Sequence, residues 1–223
     1  MAWANRDGGA PALSSAVAQS AEEGMEGHRW TGVFFAGGRR RQSYVFARQG
    51  EEETLLCLDA ATGKELWRSS QPISFEMHPA ATAHGKGPKS TPVVNNGSVY
   101  TLGISGVLSA HDARTGKLKW RHEFSKQYPK DLARPMAPPC RQSLTTDLVI
   151  AHVGGENKGA RSSLSTPETG AVKWTNDMDG PAYASPILGE ARWCTSARNL
   201  MPSRISSAWI SEREAAVETA LED

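Results

Sequence analysis

Short runs of apolar residues alternate with turn-forming residues along much of this chain. Leu55 to Leu58 and Gly106 to Ala110 are apolar or alternating runs of the length typical of β-strands. Ser90 to Tyr100 has the pattern of a strand, an Asn-Gly turn and a second strand, and Asn-Gly between β-forming residues is the strongest short hairpin signal. The chain has no apolar run of roughly 18 residues, so no transmembrane helix is predicted. The pattern indicates an all-β protein made of short strands.

A nine-residue motif recurs at a regular interval. Asp59 to Trp67 has the sequence DAATGKELW, and Asp112 to Trp120 has the sequence DARTGKLKW. Thr166 to Trp174 (TPETGAVKW) is a weaker copy that keeps the threonine, glycine and tryptophan but begins with threonine instead of aspartate. The three tryptophans are 53 and 54 residues apart. An interval of this length indicates that each repeat forms one structural unit.

The motif has the chemistry of a tight turn between two strands. Aspartate accepts hydrogen bonds from backbone N–H groups two or three residues later, and glycine adopts a positive φ at no steric cost. The tryptophan at the end is a suitable wedge between neighbouring sheets. With the upstream hairpin, each repeat contains four short strands, which is the content of one propeller blade. A β-sandwich also has many short strands but does not require the repeat. We therefore expect the repeat to be defined by Asp59, Gly63, Trp67, Asp112, Gly116, Trp120, Gly170 and Trp174.

The motif resembles that of a known family. Leu58 to Trp67 is similar to the repeat of the pyrroloquinoline-quinone-like (PQQ-like, quinoprotein-type) β-propellers, and Ser90 to Val94 and Gly180 to Ile187 resemble the inner strands of that family. Its members include quinoprotein alcohol dehydrogenases and the propeller lipoprotein of the outer-membrane assembly machinery. The resemblance implies an incomplete β-propeller of about three four-stranded blades, with irregular termini and a short C-terminal helix.

The resemblance is lost at 1–43, 131–146 and 189–223. We therefore divide the chain into an irregular N-terminal segment (1–40), propeller repeats (41–188) and a non-repeat tail (189–223). No strand periodicity is visible in the tail, which ends in a capping-box pattern at Ser211 to Glu214 that favours the short helix. Prolines at 135, 138 and 139 argue against a central strand there. Local reading-frame errors or gene truncation would produce such interruptions, as would genuine divergence.

Composition and cysteine spacing exclude several classes of function. The chain has 25 basic and 24 acidic residues, so charge gives no reason to expect nucleic-acid binding. Cys57, Cys140 and Cys194 form neither a disulfide framework nor a Cys-x-x-Cys pair. None of the six histidines has metal-ligand spacing on a credible helix.

Two short segments carry only a superficial resemblance to ligand-binding loops. Gly85 to Thr91 lacks the residue order of a phosphate loop and is interpreted as a basic loop between blades. Loops carry function in many folds, so basic side chains here could line one rim of the propeller, namely His78, His84, Lys86 and Lys89. Asp177 to Gly180 resembles part of a calcium loop but lacks the downstream glutamate, which favours a turn.

The resemblance also specifies what a quinone enzyme would need. Such an enzyme would have a vicinal Cys-Cys ring, a tryptophan stacked on the quinone and a carboxylate base beside calcium. This chain has no Cys-Cys, and blade packing accounts for the motif tryptophans. We therefore expect no catalytic, cofactor-binding or metal-binding residues and no required cofactor.

The resulting expectation is a non-catalytic binding or scaffold module. Its partner would be an unknown protein or small-molecule ligand, and open blade edges would allow self-association. The alternative is a fragment of a pyrroloquinoline-quinone-dependent alcohol dehydrogenase-like oxidoreductase, which would require pyrroloquinoline quinone and calcium. Family analogy suggests a periplasmic or extracellular location, although the N-terminal sequence does not have the pattern of a signal peptide.

Overall fold

The computed structural model describes residues 30–37, 42–75, 85–124, 141–144, 149–153, 161–176, 187–189, 192–198 and 205–211. These residues form four antiparallel sheets, each built from strands that are consecutive in sequence. Sheet 1 contains β1 (Trp30–Gly37), β2 (Gln42–Gln49), β3 (Glu52–Asp59) and β4 (Glu65–Pro72). Sheet 2 contains β5 (Val93–Asn95), β6 (Ser98–Leu102), β7 (Val107–Asp112) and β8 (Leu118–Glu123).

Sheet 3 follows the same plan, and sheet 4 has three described strands. Sheet 3 contains β9 (Arg141–Leu144), β10 (Val149–Val153), β11 (Arg161–Ser165) and β12 (Val172–Asn176). Sheet 4 contains β13 (Ile187–Gly189), β14 (Arg192–Arg198) and β15 (Ile205–Ser211). Four short antiparallel strands joined in sequence order are the content of one propeller blade.

In sheets 1 and 2, burial changes from the middle strands to the last strand. In β2 the six central residues are all buried, whereas β4 alternates between exposed and half-buried residues. The same contrast separates β6 and β7 from β8. A strand buried on both faces has a continuous apolar sequence, while a partly solvated strand alternates. β4 and β8 are therefore the outer strands.

The three motif tryptophans occupy the same backbone position. Trp67 pairs with Cys57, Trp120 with Ala110 and Trp174 with Leu164, and each pair lies beside an irregularity in the register. The common register shows that the outer strands of the three sheets are built in the same way.

Two apolar cores separate the first three sheets. Sheet 1 contributes aromatic and aliphatic side chains to the first core, where they meet Val99 and Ala113 of sheet 2. The second core contains Tyr100, Leu108 and Phe124 from sheet 2, together with alternate residues of β10. Alternate residues of each central strand therefore point toward the next sheet.

Three strands lie in segments whose sequence does not resemble the repeat. β1 lies inside the segment 1–40, and β14 and β15 lie in the tail 189–223, where no strand periodicity was visible. The tail strands contain isolated β-forming residues, such as Trp193 and Trp209, among serines and arginines that hide any alternation. Backbone pairing over seven residue pairs, from Arg192↔Ser211 to Arg198↔Ile205, forms the hairpin nevertheless.

The other departures have separate outcomes. β9 starts at Arg141, directly after the proline-rich stretch, and lies at the edge of sheet 3. The predicted short helix after Ser211 lies outside the described residues, and the division at 40 and 188 stays a prediction. Among the residues that are described, no helix is long and apolar enough to cross a membrane.

Candidate functional site

The aspartate turns have nearly identical geometry in the first two repeats. The Asp59 Oδ1 atom accepts hydrogen bonds from the backbone N–H groups of Ala61 (3.0 Å) and Thr62 (2.9 Å). Asp112 Oδ1 accepts from Arg114 (3.1 Å) and Thr115 (2.8 Å) in the same way. The threonine hydroxyl also donates to the aspartate in each turn. These bonds, first the one from the Thr115 hydroxyl, hold the pKa of Asp112 below its usual value.

The third turn keeps the same backbone without the aspartate. Gly170 N donates to Thr166 O at 2.9 Å, as Gly116 N does to Asp112 O at 2.8 Å. The two threonine hydroxyls of this turn, on Thr166 and Thr169, lie 2.6 Å apart and form a hydrogen bond. The turn therefore tolerates threonine in the first position, but it lacks the carboxylate that accepts hydrogen bonds from two backbone N–H groups in the other repeats.

Each described tryptophan side chain docks on the turn of the following repeat. Trp67 Nε1 donates to Ala113 O at 3.2 Å, and Trp120 Nε1 donates to Pro167 O at 2.7 Å. The indole faces lie against glycine: a β-carbon on Gly116 would be 2.5 Å from Trp67 Cε3. The same distance separates a β-carbon on Gly170 from Trp120 Cε3. The glycine thus shapes the turn and leaves room for the indole of the preceding sheet. We call the contact between sheets 1 and 2, around Trp67, the first joint, and that between sheets 2 and 3, around Trp120, the second joint.

A tyrosine accompanies each tryptophan, which the sequence pattern did not reveal. Tyr44 OH donates to the same Ala113 carbonyl at 3.0 Å, and Tyr100 OH donates to Pro167 O at 3.3 Å. Each tyrosine ring lies about 6 Å from its tryptophan, at tilted angles of 49° and 50°. The tyrosines are also 56 residues apart (Tyr44 and Tyr100), and that spacing was the signal that could have identified them.

Burial in the first joint alters two ionisable groups. Desolvation raises the pKa of Tyr44 to about 12, and it raises the pKa of the neighbouring Cys57 thiol to about 11. Cys57 is fully buried, as the apolar sequence around it predicts. Both groups are neutral at physiological pH and act as packing and hydrogen-bonding elements.

The opposite end of the first joint contains a buried pair of charged residues. Arg48 and Glu53 are cross-strand neighbours in sheet 1 and are 2% and 0% exposed. Arg48 donates hydrogen bonds to carbonyl groups of Gly50 and Ile73 and to the Glu51 carboxylate. Glu53 Oε1 accepts from Ile104 N at 2.8 Å, in the turn between β6 and β7. Pattern analysis missed this contact because glutamate is rarely buried.

Other candidate groups are dispersed. Lys86 is exposed, and Lys89 Nζ donates to Gly85 O at 3.2 Å. His78, His84 and the segment 177–180 lie outside the described residues. Within the described ranges no three acidic, histidine or cysteine side chains are grouped as metal ligands would be. The motif residues therefore form structural joints between sheets.

Comparison with known proteins shows which family this chain belongs to. A family profile described as outer membrane protein assembly factor BamB matches residues 51–182, which is more than half of the chain. A stretch of 68 residues is 40% identical to quinohemoprotein alcohol dehydrogenase ADH IIB of Pseudomonas putida. That stretch covers 30% of this chain and 9% of the dehydrogenase.

Among solved structures, a designed protein shows the same fold. The designed protein Ika8 matches with a TM-score of 0.51 and 11% identity, over 74% of this chain and 43% of Ika8. BamB from Moraxella catarrhalis matches with a TM-score of 0.48 and 18% identity, over 74% of this chain and 42% of BamB. The chain thus spans less than half the length of these proteins. The predicted all-β partial propeller is confirmed, and the chain belongs to the PQQ-like β-propeller repeat family.

Proposed function

We propose that this chain is a non-catalytic binding or scaffold module built from PQQ-like propeller repeats. The main support is that two of its motif tryptophans, Trp67 and Trp120, are engaged in contacts between neighbouring sheets. Trp67 directs its N–H group to Ala113 and one ring face to Gly116, and Trp120 does the same with Pro167 and Gly170. In each ring, one face and the N–H group are therefore already engaged within the protein.

The cysteines support the same proposal. The resemblance to quinoprotein dehydrogenases implies a vicinal cysteine pair, but the cysteines of this chain are at positions 57, 140 and 194. Cys57 is enclosed in the first joint with a raised pKa, and a thiol of that kind is unreactive.

The outer strands offer a surface for a protein partner. Three large apolar side chains are exposed there, one on each of three consecutive sheets: Leu66 (48%), Leu118 (44%) and Val172 (38%). We take these exposed apolar side chains of consecutive outer strands as the candidate contact surface for a protein partner. The family similarity to BamB, named as an outer membrane protein assembly factor, supports a protein as the partner. It also supports a location outside the cytoplasm, which fractionation of cells carrying the tagged gene would test.

A second candidate is a fragment of a quinone-dependent alcohol dehydrogenase. The observation that favours it is the 40% identity to the quinohemoprotein enzyme over 68 residues. This candidate would require pyrroloquinoline quinone and calcium.

Two measurements separate the candidates. Purified chain is mixed with pyrroloquinoline quinone and calcium, and the absorbance of the bound quinone is recorded after gel filtration. We expect no stoichiometric binding, and binding of one quinone per chain would contradict the proposal.

In parallel, a photo-crosslinking residue is placed at Leu118, with exposed Lys64 in the first turn as the control position. A defined adduct at Leu118 alone, in the native host, is the result expected of a binding module.

A further inference from the structure

Glu53 is a buried carboxyl group that connects sheet 1 to sheet 2. It lies on β3, is fully buried, and accepts a hydrogen bond from the Ile104 amide of sheet 2. Gly103 leaves space for it, since a β-carbon at that position would overlap the Glu53 carboxyl group. The carboxyl group is therefore in direct contact with the backbone of the next sheet.

The negative charge of this group is only partly compensated. Oε2 of Glu53 has no hydrogen-bond partner among the described residues, and the same is true of Nη1 of Arg48. Arg48 directs its other nitrogens to the hairpin turn and to Ile73. Burial raises the pKa of Glu53 above the ordinary value of 4.5. It outweighs the Ile104 hydrogen bond, Arg48 and Arg121, which all favour the ionised form. A carboxylate buried with one unpaired oxygen destabilises the joint.

In the second joint, the end that corresponds to the Glu53 end of the first joint is occupied by an uncharged side chain. Ile73 and Phe124 each follow the outer strand directly, and each donates its N–H group to the second hairpin turn of its own sheet. Phe124 is fully buried against an apolar cluster that includes Leu102 and Val153. At the matching end of the first joint, the charged side chains of Arg48 and Glu53 are buried beside Ile73 and Ile104.

We propose that Glu53 is a proton-dependent latch between sheets 1 and 2. The neutral carboxyl group packs in the joint and still accepts the Ile104 hydrogen bond, whereas the carboxylate favours separation of the sheets at this end. Since the folded protein binds the proton more tightly than the unfolded chain, the stabilisation is complete below pH 4.5 and is lost as the pH rises through the titration of Glu53.

The charged groups around the latch are few. The positive charges of Arg48 and Arg121 act on Glu53. The exposed Glu51 carboxylate accepts a hydrogen bond from Arg48, and Lys86 Nζ lies 3.9 Å from Glu51 Oε1. His111 also lies in the first joint, beside Gly116, and burial lowers its pKa, so it titrates in the opposite sense. Comparison of variants at equal pH removes the contribution of His111.

The buried thiol of Cys57 reports the opening of this joint. In a C140S/C194S background, Cys57 is labelled with a dithiodipyridine reagent that reacts in acid as well as in neutral solution. The labelling rate is compared with that of the same background carrying Glu53→Gln, which keeps the shape but not the charge. Below pH 4.5 we expect equal rates. At higher pH the Glu53 protein should be labelled faster, by about tenfold for each unit by which the pKa is raised. The exposed neighbour supplies the control Glu52→Gln, which should behave like the background.

The proposal would be overturned if the ratio of the Cys57 labelling rates in the background and in Glu53→Gln were the same at every pH. If Glu53→Gln does not fold, carbon-13 NMR of the unmodified chain decides the matter. The Glu53 carboxyl carbon and the Ile104 amide proton should titrate with one shared midpoint above pH 4.5, and a midpoint at or below that value would refute the latch.

Discussion

Gly116 and Gly97 have nearly the same backbone conformation in different surroundings. Their φ angles are +73° and +70°, but a β-carbon on Gly116 would meet the Trp67 ring, whereas one on Gly97 would meet nothing within 4 Å. Gly97→Ala should therefore cost only the backbone strain, about 1 kcal/mol. Gly116→Ala should cost about 2–4 kcal/mol, because over-packing adds to that strain. Urea unfolding of both variants measures the difference, and equal losses would show that Trp67 does not rest on this turn.

His111 makes the stability of the first joint depend on pH. It is 5% exposed, its Nδ1 donates to Gly116 O at 3.3 Å, and burial lowers its pKa below 6.5. The unfolded chain therefore binds this proton more tightly, so the stabilisation is complete above pH 6.5 and is lost as the pH falls through the folded-state pKa. The free energy of unfolding, measured in urea at pH 6.5 and below, should change less with pH in His111→Gln than in the native chain. An unchanged pH dependence would assign the effect to another group, such as His122, whose pKa burial also lowers.

At the scale of the turn, the second and third copies differ in whether the first residue carries a carboxylate. Asp112 gathers two backbone N–H groups, and Thr166 occupies the same position without a carboxylate. We expect Asp112→Thr to lower the free energy of unfolding by about 0.5–1.5 kcal/mol and Thr166→Asp to raise it by a similar amount. Both changes are measured by urea unfolding. Two changes of the same sign would mean that the carboxylate does not stabilise the turn.

The turn and the joint differ in how far they could be predicted from sequence. The Asp-x-x-Thr-Gly turn depends on contacts within six residues, so the motif alone was sufficient to predict it. The partner of Trp67 lies 46 residues away at Ala113, and only the regular interval indicated that such a partner exists.

Contacts without a repeated sequence were not predictable in this way. The burial of Glu53 depends on Ile104, 51 residues away, and the second repeat has no equivalent ionic contact at Phe124. The hairpin of β14 and β15 is formed through backbone pairing in a serine-rich sequence that has no apolar alternation.

At the scale of the whole molecule, the large apolar side chains that are exposed among the described residues lie on the outer strands. The face of sheet 1 that is turned away from sheet 2 is buried, with Val45, Ala47 and Leu58 at 3%, 0% and 6% exposure. Self-association should therefore use the outer strands, where Leu66 and Leu118 are exposed. Light scattering should give a mass above 24.0 kDa that rises with concentration. The double variant Leu66→Lys/Leu118→Lys should stay near 24.0 kDa. A native chain that is monomeric at all concentrations would rule this out.

The central claim is that the tryptophan of one repeat docks on the turn of the next. Hydrogen exchange of the indole N–H groups tests it most directly, with the signals assigned by Trp67→Phe and Trp120→Phe. The bonds to Ala113 O and Pro167 O predict slow exchange at both indoles, slowest at Trp120, where the donor–acceptor distance is 2.7 Å instead of 3.2 Å. Exchange of both groups at the rate of a free indole would contradict the account.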